Sequence, residues 1–193
     1  MHEPDLTQRL AGAVADYRRT GDIGQLLDRL DAIARAHPAD QLLDALTPHR
    51  DLQEVVGPVC EVIVEREPTN ARALVALAQA YWLTGRGPEV VSEIADRART
   101  ADPSSAAAWH LWALADGSPR GRTERWQAVV ARFSDDAMAR VNLADNAAGL
   151  AGAEDDPVAL KLAIATYEEL LARATRDEER TAVSRALEAL RGR

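Results

Sequence analysis

Residues 70–103 decide the fold, and their sequence is NARALVALAQAYWLTGRGPEVVSEIADRARTADP. Apolar residues in the first half recur three and four positions apart, which is the spacing of one face of an α-helix. They are Leu74, Leu77, Ala78 and Tyr81. Gly85 follows, and glycine commonly ends a helix because it adopts the left-handed backbone at no steric cost. This half therefore predicts a helix that ends near Gly85.

The second half of the stretch predicts another helix. Pro88 suits its first turn, where a missing N–H leaves no bond unmade. The apolar stripe that follows consists of Val90, Val91, Ile94 and Ala98. Asp102 and Pro103 mark the end, because the residue before a proline is disfavoured in the helical conformation. Residues 70–103 are therefore predicted to form a helix–turn–helix hairpin.

The same pattern extends over most of the chain. Prolines end helical pairs at Pro38, Pro68 and Pro103, and intervals of about 30–35 residues are typical of helical-hairpin repeats. A single hairpin buries only part of its apolar surface, so stacked neighbours complete the core. We expect a single repeat domain, 1–193, with approximate repeats at 6–38, 39–68, 70–103, 104–134 and 136–174 and a capping helix at 175–191.

Three local features depart from the regular pattern. Pro58 lies inside a helical stretch, where a proline costs about 3 kcal/mol, so we expect a kink or a helix that restarts there. The segment SPRGR at 118–122 is expected to be a loop before a shortened second helix at 123–133. Thr175 and Glu178 have the spacing of a capping box, which predicts the start of the last helix.

Residues 70–103 resemble a tetratricopeptide repeat. That family's pattern is a large residue, leucine followed by glycine or alanine, tyrosine, a turn glycine, small residues in the second helix and a terminal proline. The matching positions are Leu74, Leu77, Ala78, Tyr81, Gly85, Val90, Ala98 and Pro103. Further copies match at Leu10, Tyr17, Gly21, Leu26, Ala34 and Pro38, at Trp109, Trp112 and Ala113, and at Asn142, Leu143, Ala144, Ala163 and Tyr167. The resemblance implies an all-α, right-handed solenoid of about four such hairpins plus a C-terminal capping helix.

In this family the first helices of successive repeats line a concave groove that holds a peptide or a partner helix. Carried over by position, the resemblance implies partner contacts at Arg18, Arg19, Arg72, Val75, Gln79, Trp82, His110, Val141 and Asp145. The arginines are expected to select acidic segments. Trp82 is expected to supply an apolar anchor if it faces the groove. Packing of Trp82 between repeats is the alternative that the sequence leaves open.

The composition limits the classes of function. The 193 residues carry a formal net charge of −8, which disfavours binding to nucleic acids because the long-range field repels polyanions. The single cysteine, Cys60, excludes an intramolecular disulfide. No helical metal pair is formed by the histidines, which are His2, His37, His49 and His110. No apolar stretch reaches the roughly 18 residues that would predict a membrane span.

We expect no catalytic residue, cofactor or metal. The favoured function is a noncatalytic protein–protein interaction module or assembly scaffold in the cytoplasm, with a protein or peptide as partner. The abundance of alanine and the excess of arginine over lysine favour a bacterial source. Two alternatives stay open, namely a soluble chaperone for an aggregation-prone client and a noncatalytic subunit of an enzyme complex. Exposed repeat ends would also allow a homo-oligomer.

Overall fold

The structure, a computed structural model, describes residues 5–192. Within that range the chain forms eleven α-helices and one 3-10 turn, Thr47–His49, and no β-strand, which confirms the all-α prediction. The helices are α1 (Leu6–Thr20), α2 (Ile23–Ala36), α3 (Ala39–Ala45), α4 (Gln53–Arg66), α5 (Ala71–Leu83), α6 (Pro88–Ala101), α7 (Ala106–Leu114), α8 (Pro119–Arg132), α9 (Ala137–Glu154), α10 (Pro157–Arg173) and α11 (Asp177–Arg191). They make five successive pairs and a last helix, where about four pairs were expected.

Single residues determine where these helices begin and end. Asp5 caps α1 in a capping box with Gln8, and Gly21 ends α1 with a φ of 72°. Gly85 has the same φ of 72° after α5, so both turn glycines occupy the left-handed region that other residues avoid. Five later helices are capped by a side-chain oxygen that accepts a hydrogen bond from a backbone N–H, and the capping residues are Asp22, Asn70, Ser118, Asp136 and Asp156.

The chain divides into two compact units, one up to Leu111 and one from Trp112 onward, so the boundary lies within α7. In the first unit α1 packs on α3 and α3 on α5, while α2 packs on α4. First helices therefore pack on first helices and second helices on second helices, as expected of stacked hairpins. The large side chains that are fully buried in this unit include Leu10, Leu26, Leu30, Leu42, Ile63 and Leu74.

In the second unit α9 packs against both α8 and α10, and α10 packs against α11. The core where these last three helices meet contains Ala144, Ala147, Ala163, Tyr167, Leu187 and Leu190. Alanines let α9 and α10 approach closely, and the two leucines of α11 add the larger apolar groups that a densely packed core requires. The last helix therefore buries its apolar face against α9 and α10.

One expected helix boundary is wrong, and of the kink or restart expected at Pro58 the restart does not occur. Residues 118–122 are not a loop before a shortened helix, because α8 begins at Pro119 and has 14 residues. Ser118 accepts a hydrogen bond from the backbone N–H of Gly121, and Pro119 occupies the first helical position, where proline is tolerated. α4 does not restart at Pro58 either, because it runs without interruption from Gln53 to Arg66.

The predicted capping box and one predicted core residue are also wrong. α11 is capped by Arg176, which makes no side-chain capping bond, and the Arg176 guanidinium binds the carboxylate of Glu179 instead. Thr175 therefore does not start the last helix. Val90, assigned to the apolar stripe of α6, is 44% exposed, whereas Val91 beside it is fully buried. Val90 stands close to the helix start, where the chain covers it least.

Candidate functional site

The first helices α1, α3 and α5 form one layer of the first unit, and most residues assigned to partner binding lie on this layer or on α7. The exposed members are Arg18, Arg19, Arg72, Gln79 and Trp82, whereas Val75 and His110 are half-buried. Val141 and Asp145 are exposed on α9 in the second unit. The residues assigned to partner binding are therefore divided between the two units.

The arginines of the first unit are largely engaged by carboxylates of their own chain. Arg72 donates from Nη2 to Asp44 over 2.7 Å and approaches Asp40 with Nη1 at 3.5 Å. Arg19 lies 3.3 Å from the carboxylate of Asp16. Exposed ion pairs of this kind contribute only about 0–1 kcal/mol, so they hold these side chains weakly. An acidic partner would nevertheless compete with three aspartates for the two cations.

Trp82 and Tyr81 point to different sides of α5. Tyr81 is half-buried, and its hydroxyl donates to Oε1 of Glu61 on α4 over 2.6 Å. The guanidinium of Arg86 lies 4.8 Å from the centre of the Tyr81 ring. Burial, together with the neighbouring Glu61 carboxylate, raises the pKa of Tyr81 to about 12. Trp82 is 41% exposed, so more than a third of its surface is open to solvent.

A groove of about 570 Å³ opens between α3, the 3-10 turn, the start of α4 and α5. This volume lies in the range of roughly 300–1,000 Å³ that is typical of ligand-binding pockets. Its apolar lining consists of Leu43, Leu46, Val56, Ala76 and Leu83. Its polar lining consists of Thr47, Arg50, Asp51, Gln53 and Gln79. We call this feature the α3–α5 groove.

The α3–α5 groove exists because the helices that form it differ in length. α3 has 7 residues and α5 has 13, so about 9 Å of α5 extends beyond the reach of α3. Leu83, in the last turn of α5, is 58% exposed and lines this uncovered part. The sequence contains a signal for this groove, because residues 39–68 are the least regular of the predicted repeats and their stretch DQLLDALTPHR at 40–50 supports only a short first helix.

Among the residues assigned to partner binding, Gln79 lines the α3–α5 groove. Trp82 does not line the groove; it directly precedes Leu83, so the two side chains point about 100° apart around α5. Sequence reasoning missed Leu83, because Leu83 is not among the family positions that were carried over. It also missed Arg50 and Gln53, whose Nε2 donates to the carbonyl of Arg50 over 3.1 Å.

In the second unit, Asp145 and Val141 are the two residues of α9 that were assigned to partner binding. Asp145 accepts a hydrogen bond from the hydroxyl of Tyr167 on α10. Burial and this contact raise the pKa of the Tyr167 hydroxyl. Val141, three residues after the exposed Met138, is 43% exposed. Asp145 is thus tied to its own chain, while Met138 and Val141 present apolar surface.

The single cysteine and the possible metal ligands are the other side chains that were considered for chemistry. Cys60 is buried, and burial raises the pKa of its thiol to about 12, so the nucleophilic thiolate is scarce at neutral pH. Within residues 5–192, no three His, Cys, Asp or Glu side chains are grouped so that they could hold a metal ion. His2 lies outside the described residues. Among the described helices, none combines the length and apolarity needed to cross a membrane.

Stacked helical pairs with glycine turns and a layer of first helices define the tetratricopeptide-repeat class of fold. Two solved structures have this chain's fold. The crystal structure of the MamA protein matches with a TM-score of 0.57 and 17% identity, over 83% of this chain and 92% of that one. A thermophilic tetratricopeptide repeat protein of Thermus thermophilus matches with a TM-score of 0.55 and 20% identity, over 95% of this chain and 99% of that one.

These likenesses show that the chain has the tetratricopeptide-repeat fold, as the sequence resemblance implied. Comparison of the sequence with models of protein families gives no match, and comparison with curated proteins gives none. This chain therefore shares its fold with those structures. The sequence identities are too low to carry information about the partner.

Proposed function

We propose that this chain is a noncatalytic interaction module that holds a segment of a partner protein in the α3–α5 groove. The proposal rests on one observation, namely that an apolar floor with polar edges opens on the first-helix layer. Leu83 keeps 58% of its surface exposed there, and exposed apolar surface within a groove is typical of docking sites. Trp82, the residue before Leu83, adds a large, partly exposed ring that a partner would cover.

The proposed mechanism combines apolar anchoring with pairing of peptide groups. A partner side chain would fill the space between Leu46 and Leu83, because burying apolar area releases about 25 cal/mol per Å². The amide of Gln79 has both a donor and an acceptor, so it suits the backbone of an extended segment. Arg18 and Arg72 would then act at the edge of the bound segment. We place this activity in the cytoplasm, as a scaffold that joins partners.

Comparative purification tests the proposal. Wild-type protein and Leu83→Glu would be used as baits in extracts of the source organism, and captured proteins would be identified by mass spectrometry. Leu83→Glu is expected to lose the specific partner at least tenfold, because a charged, strongly hydrated carboxylate would replace the apolar surface that the partner covers. Leu27→Glu is the matched control, since Leu27 is 40% exposed on α2, outside the groove. Equal capture by wild type and both variants would overturn the proposal.

A further inference from the structure

A second groove lies in the second unit, on the side of the second helices. It has a volume of about 390 Å³ and runs between α8 and α10, with Leu150 of α9 in its floor. Its other apolar members are Val158, Ala159, Leu162 and Ala165, all from α10. Neither the sequence resemblance nor the α3–α5 groove involves these residues. We call this feature the α8–α10 groove.

The floor of the α8–α10 groove offers almost nothing polar to a ligand. Leu150 and Ala159 are buried apolar residues. The hydroxyl of Thr123, which also lines the groove, already donates to the carbonyl of Pro119 over 2.9 Å. Gln127 of α8 also lines the groove, but its single amide can pair only one or two peptide groups, so an extended segment would leave most of its N–H and C=O groups unpaired against the floor. A helix brings these groups already bonded, and the small side chains of Ala159 and Ala165 permit its close approach.

The two sides of the groove carry opposite charges that are free to pair. Glu124 on α8 and Lys161 on α10 are exposed and line the groove, and neither forms an ion pair within residues 5–192. At one end, by contrast, Arg120 binds Glu154 over 2.6 Å and Asp156 over 2.9 Å, so these charges are satisfied. A ligand meets one available negative charge on the α8 side and one positive charge on the α10 side.

An exposed valine at the rim supports the same conclusion. Val158, in the first turn of α10, is 76% exposed and lines the groove. An apolar side chain so open to water gains from any partner that covers it. A helix lying between α8 and α10 would cover Val158 and bury the apolar floor together.

We propose that the α8–α10 groove docks one amphipathic helix of a partner protein. The apolar stripe of that helix faces Leu150, Ala159 and Ala165. A basic residue on one flank of the stripe pairs with Glu124, and an acidic residue on the other flank pairs with Lys161. Under the two proposals, the chain has two separate docking surfaces, the α3–α5 groove and the α8–α10 groove. The two grooves have no lining residue in common, so each proposal is supported by its own observations.

A displayed peptide library tests this proposal on the full chain. The probe is a library of helical peptides of about 15 residues with a fixed apolar stripe and flanks randomised among lysine, glutamate and glutamine. Enriched peptides are expected to have lysine on one flank and glutamate on the other. By fluorescence anisotropy, an enriched peptide should bind about tenfold more tightly than its flank-exchanged version, since two exposed ion pairs change. The double variant Glu124→Lys, Lys161→Glu should invert that preference.

Two variants separate groove binding from nonspecific adhesion. Val158→Asp should abolish enrichment, and circular dichroism should show an unchanged helix content because Val158 is largely exposed. Val90→Asp is the matched control, since Val90 is also an exposed valine shortly after the proline that opens its helix, in the first unit. The proposal is overturned if no peptide is enriched, if Val158→Asp binds as wild type does, or if the charge exchange leaves the preference unchanged. Selection of extended peptides from a parallel unstructured library would also overturn it.

Discussion

At the scale of single residues, tryptophan shows why position on a helix matters more than residue type. Trp126 is fully buried in the second unit, whereas Trp82 is 41% exposed in the first. Both rings have the apolar surface that a core needs, and the sequence left open whether Trp82 packs between repeats. Its exposure separates the two tryptophans and indicates different roles for them.

We predict that Trp126→Ala lowers the free energy of unfolding by about 3–5 kcal/mol, because it leaves a cavity in a packed core. Trp82→Ala should lower it by about 1 kcal/mol, since water already reaches that ring. Urea denaturation followed by circular dichroism measures both values. A loss above about 2 kcal/mol for Trp82→Ala would mean that this ring is packed between helices and is not an anchor.

Single residues also weaken the expectation that the arginines select acidic partners. Arg72 faces Asp40 and Asp44, and Arg19 faces Asp16, so neighbouring carboxylates already offset these cations. Carrying over family positions identified exposed side chains, but it contained no information about which charges lie beside them. Asp16 lies three residues before Arg19 on α1, a spacing that the sequence shows, whereas Asp40 and Asp44 come from α3 and reach Arg72 only when the chain is folded.

At the scale of elements, periodicity predicted helices well and their ends less well. The stripe of α5 is confirmed, since Leu74, Leu77 and Ala78 are buried. The start of α8 was missed because SPRGR contains glycine and proline, which usually mark a loop. In the structure this segment starts a helix, because Ser118 caps α8 and Pro119 occupies its first position. Helix boundaries depend on such single hydrogen bonds, which an average over a segment does not capture.

We predict that Ser118→Ala lowers the free energy of unfolding by about 1 kcal/mol, because it removes the oxygen that accepts the Gly121 N–H. Thr175→Ala should change it by less than about 0.5 kcal/mol, since Thr175 does not cap α11. Chemical denaturation of the two variants decides between the observed caps and the ones expected from sequence. Equal losses would contradict the assignment of Ser118 as the cap.

At the scale of the whole molecule, stability is shared among elements that could not be stable alone. Each helical pair buries only part of its apolar face, and the last helix closes the series in the second unit by covering α9 and α10. Leu187 is 3% exposed and lies in that contact. The low aromatic content, 4% of the chain, is consistent with helices that approach through alanine.

We predict that Leu187→Ala destabilises the protein by about 2–5 kcal/mol, because α11 loses the side chain that anchors it on Ala163 and Tyr167. Leu83→Ala, at the exposed end of α5, should stay within about 0.5 kcal/mol of wild type. Denaturant unfolding at a single temperature compares the two leucines directly. If Leu83→Ala proved the more damaging substitution, the α3–α5 groove would be part of a packed core and not a docking surface.

The sequence by itself determined the class of fold, because a stripe repeated every three to four residues and a turn glycine act within one hairpin. It also indicated the irregular repeat at 39–68, although not its consequence. Only the tertiary structure decided that a short α3 leaves the end of α5 uncovered, and that Glu124 and Lys161 face one groove from two helices. Local patterns depend on neighbours along the chain, whereas a groove depends on helix lengths and on side chains brought together from distant segments. The fold was therefore predictable, and the two grooves were not.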